Sequence, residues 1–244
     1  MNQNNFEWTP DFWQSWRESD NPYRQYKSRR DRRLVLKTLD LHDGERVLEV
    51  GFGYGWISQC ILGAAKIDWY GVDRSAAMAC HLQGLDLKKD KRVALADGVF
   101  LPFQDGEFDK VLCTGVLMHI TETDLAVREL VRVLRQGGRM VCSINNTLSP
   151  FSFPVRIWNL RKKGFVQNFR NPASFRKFLR ETGMAVDGIQ GDGVVATVPM
   201  KFGKYQFPPI RRYSSIQKID EWVTDRFPWF AYEIWFSGVK TAHP

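Results

Sequence analysis

Arg46-Val47-Leu48-Glu49-Val50-Gly51-Phe52-Gly53-Tyr54-Gly55 reads as a short buried strand running into a glycine turn. Val47, Leu48 and Val50 supply the apolar strand. Gly51, Gly53 and Gly55 permit a sharp bend and leave backbone N–H groups free to meet a ligand. A second apolar segment, Trp69-Tyr70-Gly71-Val72, ends at Asp73, a carboxylate placed to receive ribose hydroxyls. A GxGxG turn alone marks many loops. Set between a strand and a helix, with an acidic strand end downstream, it points to a site for a nucleoside cofactor.

Outward from this turn, apolar segments of strand length alternate with helical ones. Residues 23–39 read as a basic helix, 46–50 as a strand and 56–64 as a helix whose free N–H groups face the cofactor. Strands follow at 67–72, 92–96, 108–114 and 140–144. Helices fall at 75–86 and from a Thr121 cap to Gln136-Gly137-Gly138. Pro172 opens a helix that ends before Gly183. Residues 184–189 and 232–239 read as late strands, possible antiparallel partners. Such alternation predicts an α/β fold with a mostly parallel sheet covered on both faces. Residues 196–213 read as an aromatic, basic loop, with Ser214 or Ser215 capping a helix through Val223.

The 244 residues suit one α/β domain with additions, and 43% hydrophobic content is enough for a sizeable core. The domain plan is an N-terminal helical cap over 1–44, a cofactor-binding core over 45–145, and completion of the α/β core over 146–244. Pocket-forming insertions are placed at about 146–171 and 196–230. No run reaches the length of a membrane span, and the N-terminus lacks the apolar block of a secretory signal. Cys60, Cys80, Cys113 and Cys142 form no CxxC pair, and His42, His81, His119 and His243 form no metal cluster. Buried thiols in a reducing compartment are expected, which makes the cytoplasm the default location. The net charge of +8 gathers in two runs, Arg24 to Lys37 and Arg156 to Arg180. Either run suits RNA, an anionic lipid surface, an acidic small substrate or a merely solvated helix face. Arg24, Lys27 and Arg29 are candidates to meet a cofactor carboxylate.

Further blocks follow in order: Ala96-Asp97-Gly98-Val99-Phe100-Leu101-Pro102-Phe103, Phe108-Asp109-Lys110-Val111 and Leu134-Arg135-Gln136-Gly137-Gly138-Arg139. With the glycine turn and Gly71-Val72-Asp73, the chain resembles class I S-adenosylmethionine-dependent methyltransferases, in particular the UbiE-like, type-11 group. The resemblance is strong over residues 45–145. It implies a Rossmann-like, mostly parallel seven-stranded sheet with an antiparallel terminal strand, and S-adenosyl-L-methionine as cofactor. It also implies that Glu49 and Gly51, Phe52, Gly53, Tyr54 and Gly55 position the methionyl part. Asp73, with neighbouring Arg74, takes the ribose. Asp97, Gly98 and Val99 surround the adenine, and Gly115 and Val116 lie beside the cofactor. No metal is implied.

Trp13, Trp16, Tyr23 and Tyr26 are candidates to close the pocket from the N-terminal side, and Phe151 and Trp158 from the 146–171 insertion. Packing between helices and sheet is the alternative for each. His119 follows the fourth strand on the expected active-site face and is the candidate general base, the alternative being a structural hydrogen bond. The predicted activity is methylation of a small or medium-sized aromatic or lipophilic metabolite, oxygen being the first choice of acceptor atom. An RNA methyltransferase and a non-catalytic cofactor-binding partner protein are the alternatives. Candidate partners beyond the methyl acceptor are an anionic membrane surface and a second copy of the chain, with RNA ranked below them.

Overall fold

The alternating segments build one mixed sheet. The structure, a computed structural model, describes residues 9–11, 14, 22–84, 92–153, 156–157, 167–193, 200–202, 205–207 and 213–242. Helix α1 (Pro22–Leu39) leads to β1 (Arg46–Val50), α2 (Trp56–Ala64), β2 (Asp68–Asp73), α3 (Ala76–Gly84) and β3 (Arg92–Leu95). Next come β4 (Phe108–Cys113), α4 (Thr123–Val133), β5 (Leu134–Asn146), β6 (Phe169–Arg170) and α5 (Pro172–Glu181). The chain ends with β7 (Met184–Asp192), β8 (Met200–Phe202), β9 (Tyr205–Phe207), α6 (Tyr213–Arg226) and β10 (Glu233–Lys240). Two single 3-10 turns, Leu117–His119 and Pro228–Phe230, follow β4 and α6.

The sheet runs β3-β2-β1-β4-β5-β10-β7, seven strands in the expected plan, and the two-residue β6 adds to β5 as an eighth. Strands β1 to β5 are parallel, whereas β10 is antiparallel to both β5 and β7. The chain leaves β1 for β2 on one side and later returns to β4 on the other. That reversal opens a crevice beyond the carboxyl ends of β1 and β4. Each sheet face has its own apolar layer. Leu48, Val111, Cys113 and Met140 pack with residues of α4 and α5. On the other face, Val47, Leu112, Val141 and Trp235 meet Leu34, Val35 and Leu39 of α1 and Ile61 of α2.

Several boundaries differ from the sequence reading. Glu122, not Thr121, precedes α4, and Thr123 Oγ1 donates to the Ile120 carbonyl at 2.9 Å. Strand β5 starts at Leu134, so Gly137 (φ 72°) bends the start of a strand instead of ending a helix. The 196–213 segment contains the antiparallel pair β8–β9, and α6 begins at Tyr213, ahead of both serines. Cys80 is exposed, unlike the buried Cys113 and Cys142; all four cysteines are free. No helix among the described residues is long and apolar enough to cross a membrane.

The N-terminal basic run is not all solvated surface. Lys27 Nζ donates to Asp31 at 2.6 Å and Glu233 at 2.9 Å, and also bonds Asp192. Arg30 Nε lies 3.0 Å from Asp192 Oδ1, and its Nη2 donates to the Gly191 carbonyl at 2.7 Å. Burial pushes Asp192 up to about 7, against the pull of Lys27. Two cations of the run therefore clamp α1 to the ends of β7 and β10, and Lys27 is already engaged by carboxylates of the protein.

Helix α5 shows how local chemistry sets a boundary. Asn171 Oδ1 accepts from the backbone N–H of Ala173 (2.9 Å) and Ser174 (3.2 Å), with Pro172 at the first helical position. Asn171→Ala is expected to cost about 1 kcal/mol of stability, read as a lower urea midpoint at unchanged slope. An unmoved midpoint would show that Pro172 alone suffices to start the helix.

Candidate active site

The glycine turn is closed by its own backbone. Gly51 N donates to the Val72 carbonyl at 2.7 Å and Gly55 N to the Phe52 carbonyl at 3.0 Å. Gly51 has φ 75°, and a Cβ there would lie 2.2 Å from Val116 Cγ2, so only glycine lets the turn close on the end of β4. Gly53 (φ 55°) and Gly115 (φ 71°) differ: a Cβ at either would meet no atom within 4 Å. These two glycines line the open side of the crevice. Gly55 precedes α2 without any side-chain cap, which leaves backbone donors of the first turn available.

Three carboxylates stand around this turn in different states. Glu49 is buried, and its Oε2 accepts from Ser58 Oγ (2.7 Å) and Trp69 Nε1 (3.0 Å). Burial pushes its carboxyl up to about 7 against those two hydrogen bonds. The Trp69 ring reaches Glu49 by lying across Gly71, where a Cβ would come within 2.3 Å of the indole. Asp73 ties two elements together: Oδ2 accepts from Gly53 N and Oδ1 from Ser75 N, both at 2.9 Å. Burial raises its pKa, and these backbone donors oppose the rise. Asp97 is exposed and accepts from Val99 N at 3.2 Å, which shapes the loop after β3. Gly98 brings that loop against Ile120, with a Cβ position 3.0 Å from Ile120 Cδ1.

Thus Gly51 meets Val116, Gly53 meets Asp73, and the 97–99 loop meets the segment after β4. Phe52 and Tyr54 turn into the core layer under the crevice, Phe52 edge-on to Trp69 with centroids 6.2 Å apart. Tyr26 is also buried, and its hydroxyl donates to Asp220 Oδ2 at 3.0 Å, joining α1 to α6. Phe151 is half-buried in the turn after β5. Trp13, Trp16 and Trp158 lie outside the described residues, as does the side chain of Tyr23. His119 ends the 3-10 turn after β4. Burial, with the Arg74 charge nearby, lowers its pKa to about 4, so the imidazole is neutral at physiological pH.

The sequence reading missed the residues that hold these groups. Ser58 and Trp69 secure Glu49, and Ser143 Oγ accepts from Gly115 N at 2.8 Å. At the carboxyl end of β5, Asn145 Nδ2 and the Tyr232 hydroxyl both donate to Gln167 Oε1, at 3.1 and 2.7 Å. Asn145 Oδ1 is buried with no hydrogen-bond partner among the described residues. Its position at the end of an apolar strand was the only available signal. A cleft of about 680 Å³ lies at the opposite, amino-terminal edge of β1 and β4. Its charged lining is self-paired, Arg46 with Glu107 at 2.8 Å and Arg132 with Glu129 at 2.7 Å, which marks it as structural. No group of metal-binding side chains occurs among the described residues.

A nucleoside cofactor carrying a cationic amino-acid tail fits this donor set. The crevice offers carboxylates to hydroxyl and ammonium donors, free backbone N–H groups to a carboxylate, and space at Gly53 and Gly115. Fold and site together define a Rossmann-like nucleotide-cofactor enzyme. Residues 48–142 match the family model described as a methyltransferase domain. A ubiquinone biosynthesis O-methyltransferase of Xanthomonas oryzae pv. oryzae is 29% identical over 189 residues, 72% of this chain and 78% of that protein. A demethylmenaquinone methyltransferase of Beutenbergia cavernae is 34% identical over 110 residues, 45% of each chain. Among solved structures, a Haloferax volcanii putative methyltransferase in complex with the Trm112 activator superposes with a TM-score of 0.67 at 19% identity, covering 96% of both chains. Residues 48–142 thus form a methyltransferase domain, and the chain is an S-adenosylmethionine-dependent methyltransferase similar to the ubiquinone and demethylmenaquinone methyltransferases.

Proposed function

We propose that the protein methylates a hydroxyl of a small or medium-sized aromatic or lipophilic metabolite, of the quinone-precursor class, and that it does so in the cytoplasm. The observation that carries this reading is the crevice in which Gly53 N and Asp73 are joined while Gly53 and Gly115 face open space. The names of the relatives support the acceptor class. S-adenosylmethionine, when bound, supplies a methyl group on a positively charged sulfur. Asp73 receives the ribose hydroxyls, Asp97 the adenine amino group and Glu49 the charged methionyl end. Gly51, Gly55, Arg74, Gly98, Val99, Gly115 and Val116 complete the cradle, and Phe52 and Tyr54 support it from the core. Phe151 stands on the acceptor side, whereas Tyr26, expected there from the sequence, is instead buried against Asp220 and joins α1 to α6. The protein's main task is then alignment and exclusion of water.

His119 takes the proton released by the acceptor hydroxyl. Because its pKa is about 4, the imidazole stays neutral across the physiological range and its contribution does not titrate near pH 6.5. So low a pKa makes it a weak base, so His119→Ala is expected to lower kcat by about 10- to 100-fold, at or below the usual range for acid–base groups, with cofactor affinity unchanged. Undiminished kcat at saturating acceptor would remove it from the mechanism. The reading as a whole is tested by incubating a metabolite extract with methyl-labelled cofactor and locating the label by mass fragmentation. Label on a phenolic oxygen is the expected result; label confined to RNA, or to carbon or nitrogen, would overturn the proposed acceptor.

A further inference from the structure

Helix α6 buries two polar side chains most deeply and leaves two large apolar ones in solvent. Its inward stripe holds Asp220 and Thr224, 2% and 0% exposed, which bond Tyr26 and Arg30 of α1 at 3.0 and 2.6 Å. Its outward stripe holds Ile219 and Trp222, 61% and 64% exposed. An ordinary surface helix does the opposite. The apolar strip continues past the helix end. Phe227 lies edge-on to Trp222 with centroids 6.0 Å apart, and Phe230 lies edge-on to Phe227 at 6.3 Å, both rings exposed. None of the residues assigned to the methyl-transfer site lies in this strip, and a contiguous exposed strip of this kind marks an interaction surface.

The charges around the strip select the occupant. Glu221 pairs with Arg33 at 3.3 Å and Asp225 with Arg30 at 3.1 Å. Lys218 and Arg226 have no ion-pair partner in the described structure, and each stands four residues from Trp222, one helical turn to either side. An aromatic strip bracketed by cations matches the boundary of a lipid bilayer, with rings at headgroup depth and cations on anionic headgroups. A second copy would bring the same cations face to face, in a chain already at +8. A protein partner would need polar contacts at the strip's centre, where Ile219, Phe227 and Phe230 offer no side-chain donor and the tryptophans only an indole N–H each.

We propose that α6 and the following 3-10 turn dock the enzyme on an anionic lipid surface. The proposal is independent of the acceptor reading, because vesicle binding requires neither cofactor nor methyl acceptor. Full-length protein is to be floated with vesicles of equimolar phosphatidylglycerol and phosphatidylcholine, and with vesicles of phosphatidylcholine alone. Binding to the first and at least about tenfold weaker binding to the second is expected from two juxtaposed cations. Two independent variant pairs, Trp222→Gln with Phe230→Ser and Lys218→Gln with Arg226→Gln, are each expected to weaken vesicle binding at least about tenfold. Both pairs change exposed side chains, and unchanged thermal unfolding and cofactor binding would confirm that the fold persists. Absence of binding to anionic vesicles, equal binding to both compositions, or binding insensitive to both pairs would overturn it. So would sedimentation showing that the strip instead joins two copies of the chain, or retention on polyglutamate without vesicle binding.

Discussion

Asp73→Ala is expected to weaken S-adenosylmethionine binding by about 100-fold or more, equivalent to ~3 kcal/mol, in a calorimetric titration. Two separate losses add in this variant. On the proposed reading of the site the ribose loses its charged acceptor, and the protein loses the clamp that holds the glycine turn. Both carboxylate oxygens are used, Oδ2 by Gly53 N and Oδ1 by Ser75 N, so truncation leaves two backbone donors unpaired where burial already raises the carboxyl's pKa. Each such donor costs roughly 1–3 kcal/mol when no water replaces the partner, so a lower unfolding midpoint accompanies the loss of binding. Asp73→Asn separates the two tasks. Its single carbonyl oxygen keeps one backbone bond while the negative charge is gone, and about tenfold weaker binding is expected. An Asn variant that binds as tightly as the parent protein would show that the ribose does not depend on this carboxylate. An Ala variant that binds normally would remove Asp73 from the cofactor site altogether.

The clarity of Asp73 in the sequence, and the obscurity of its neighbours, have a physical explanation. Strand β1 was legible because a parallel interior strand is buried on both faces and reads as an apolar run, here Val47, Leu48 and Val50 interrupted only by Glu49. The turn was legible because Gly51, Gly53 and Gly55 all adopt positive φ, which other residues rarely tolerate. Asp73 sits at a fixed remove from both. By contrast, Lys27 meets Asp192 and Glu233 across 165 and 206 residues of chain, and Tyr26 meets Asp220 across 194. Their local setting is a basic helix like any solvated one, so periodicity could not reveal that α1 buries charges. The same limit hid the polar side chains that α6 buries, because which face of a helix is inward depends on what covers it. Boundaries failed where two local signals competed. Gln136-Gly137-Gly138 carries a helix-stop composition, yet pairing with β4 draws Leu134 onward into β5. Ser58 and Trp69 were invisible for a related reason: their hydrogen bonds to Glu49 exist only once Trp69 folds across Gly71.

That buried carboxylate carries the second large effect. With Glu49 at about 7 in the folded protein and 4.5 as its ordinary value, the native state holds this proton more tightly than the unfolded chain. The stabilisation is therefore complete below about pH 4.5, declines as pH rises and is lost above about pH 7, a swing of about 3 kcal/mol at most. Glu49→Gln removes the titration while keeping an oxygen that can accept from Ser58 and Trp69. It is expected to raise stability by ~1–3 kcal/mol at pH 8 and to change it little at pH 4.5, measured by urea unfolding at both values. Function moves the other way. A cationic methyl donor favours the ionised carboxylate, so its affinity for the parent protein is expected to fall by up to about tenfold per pH unit below pH 7. The Gln variant binds more weakly at pH 8 and shows no such dependence. Titration in two buffers of different ionisation enthalpy near pH 6 reads the same linkage directly, as a proton released on binding by the parent protein and none by the variant. Affinity that is flat across this range in the parent protein, with stability unmoved by Glu49→Gln, would mean that Glu49 only supports the strand end. A stabilised variant that binds the cofactor poorly would instead show a buried charge retained at the expense of stability for the sake of the ligand.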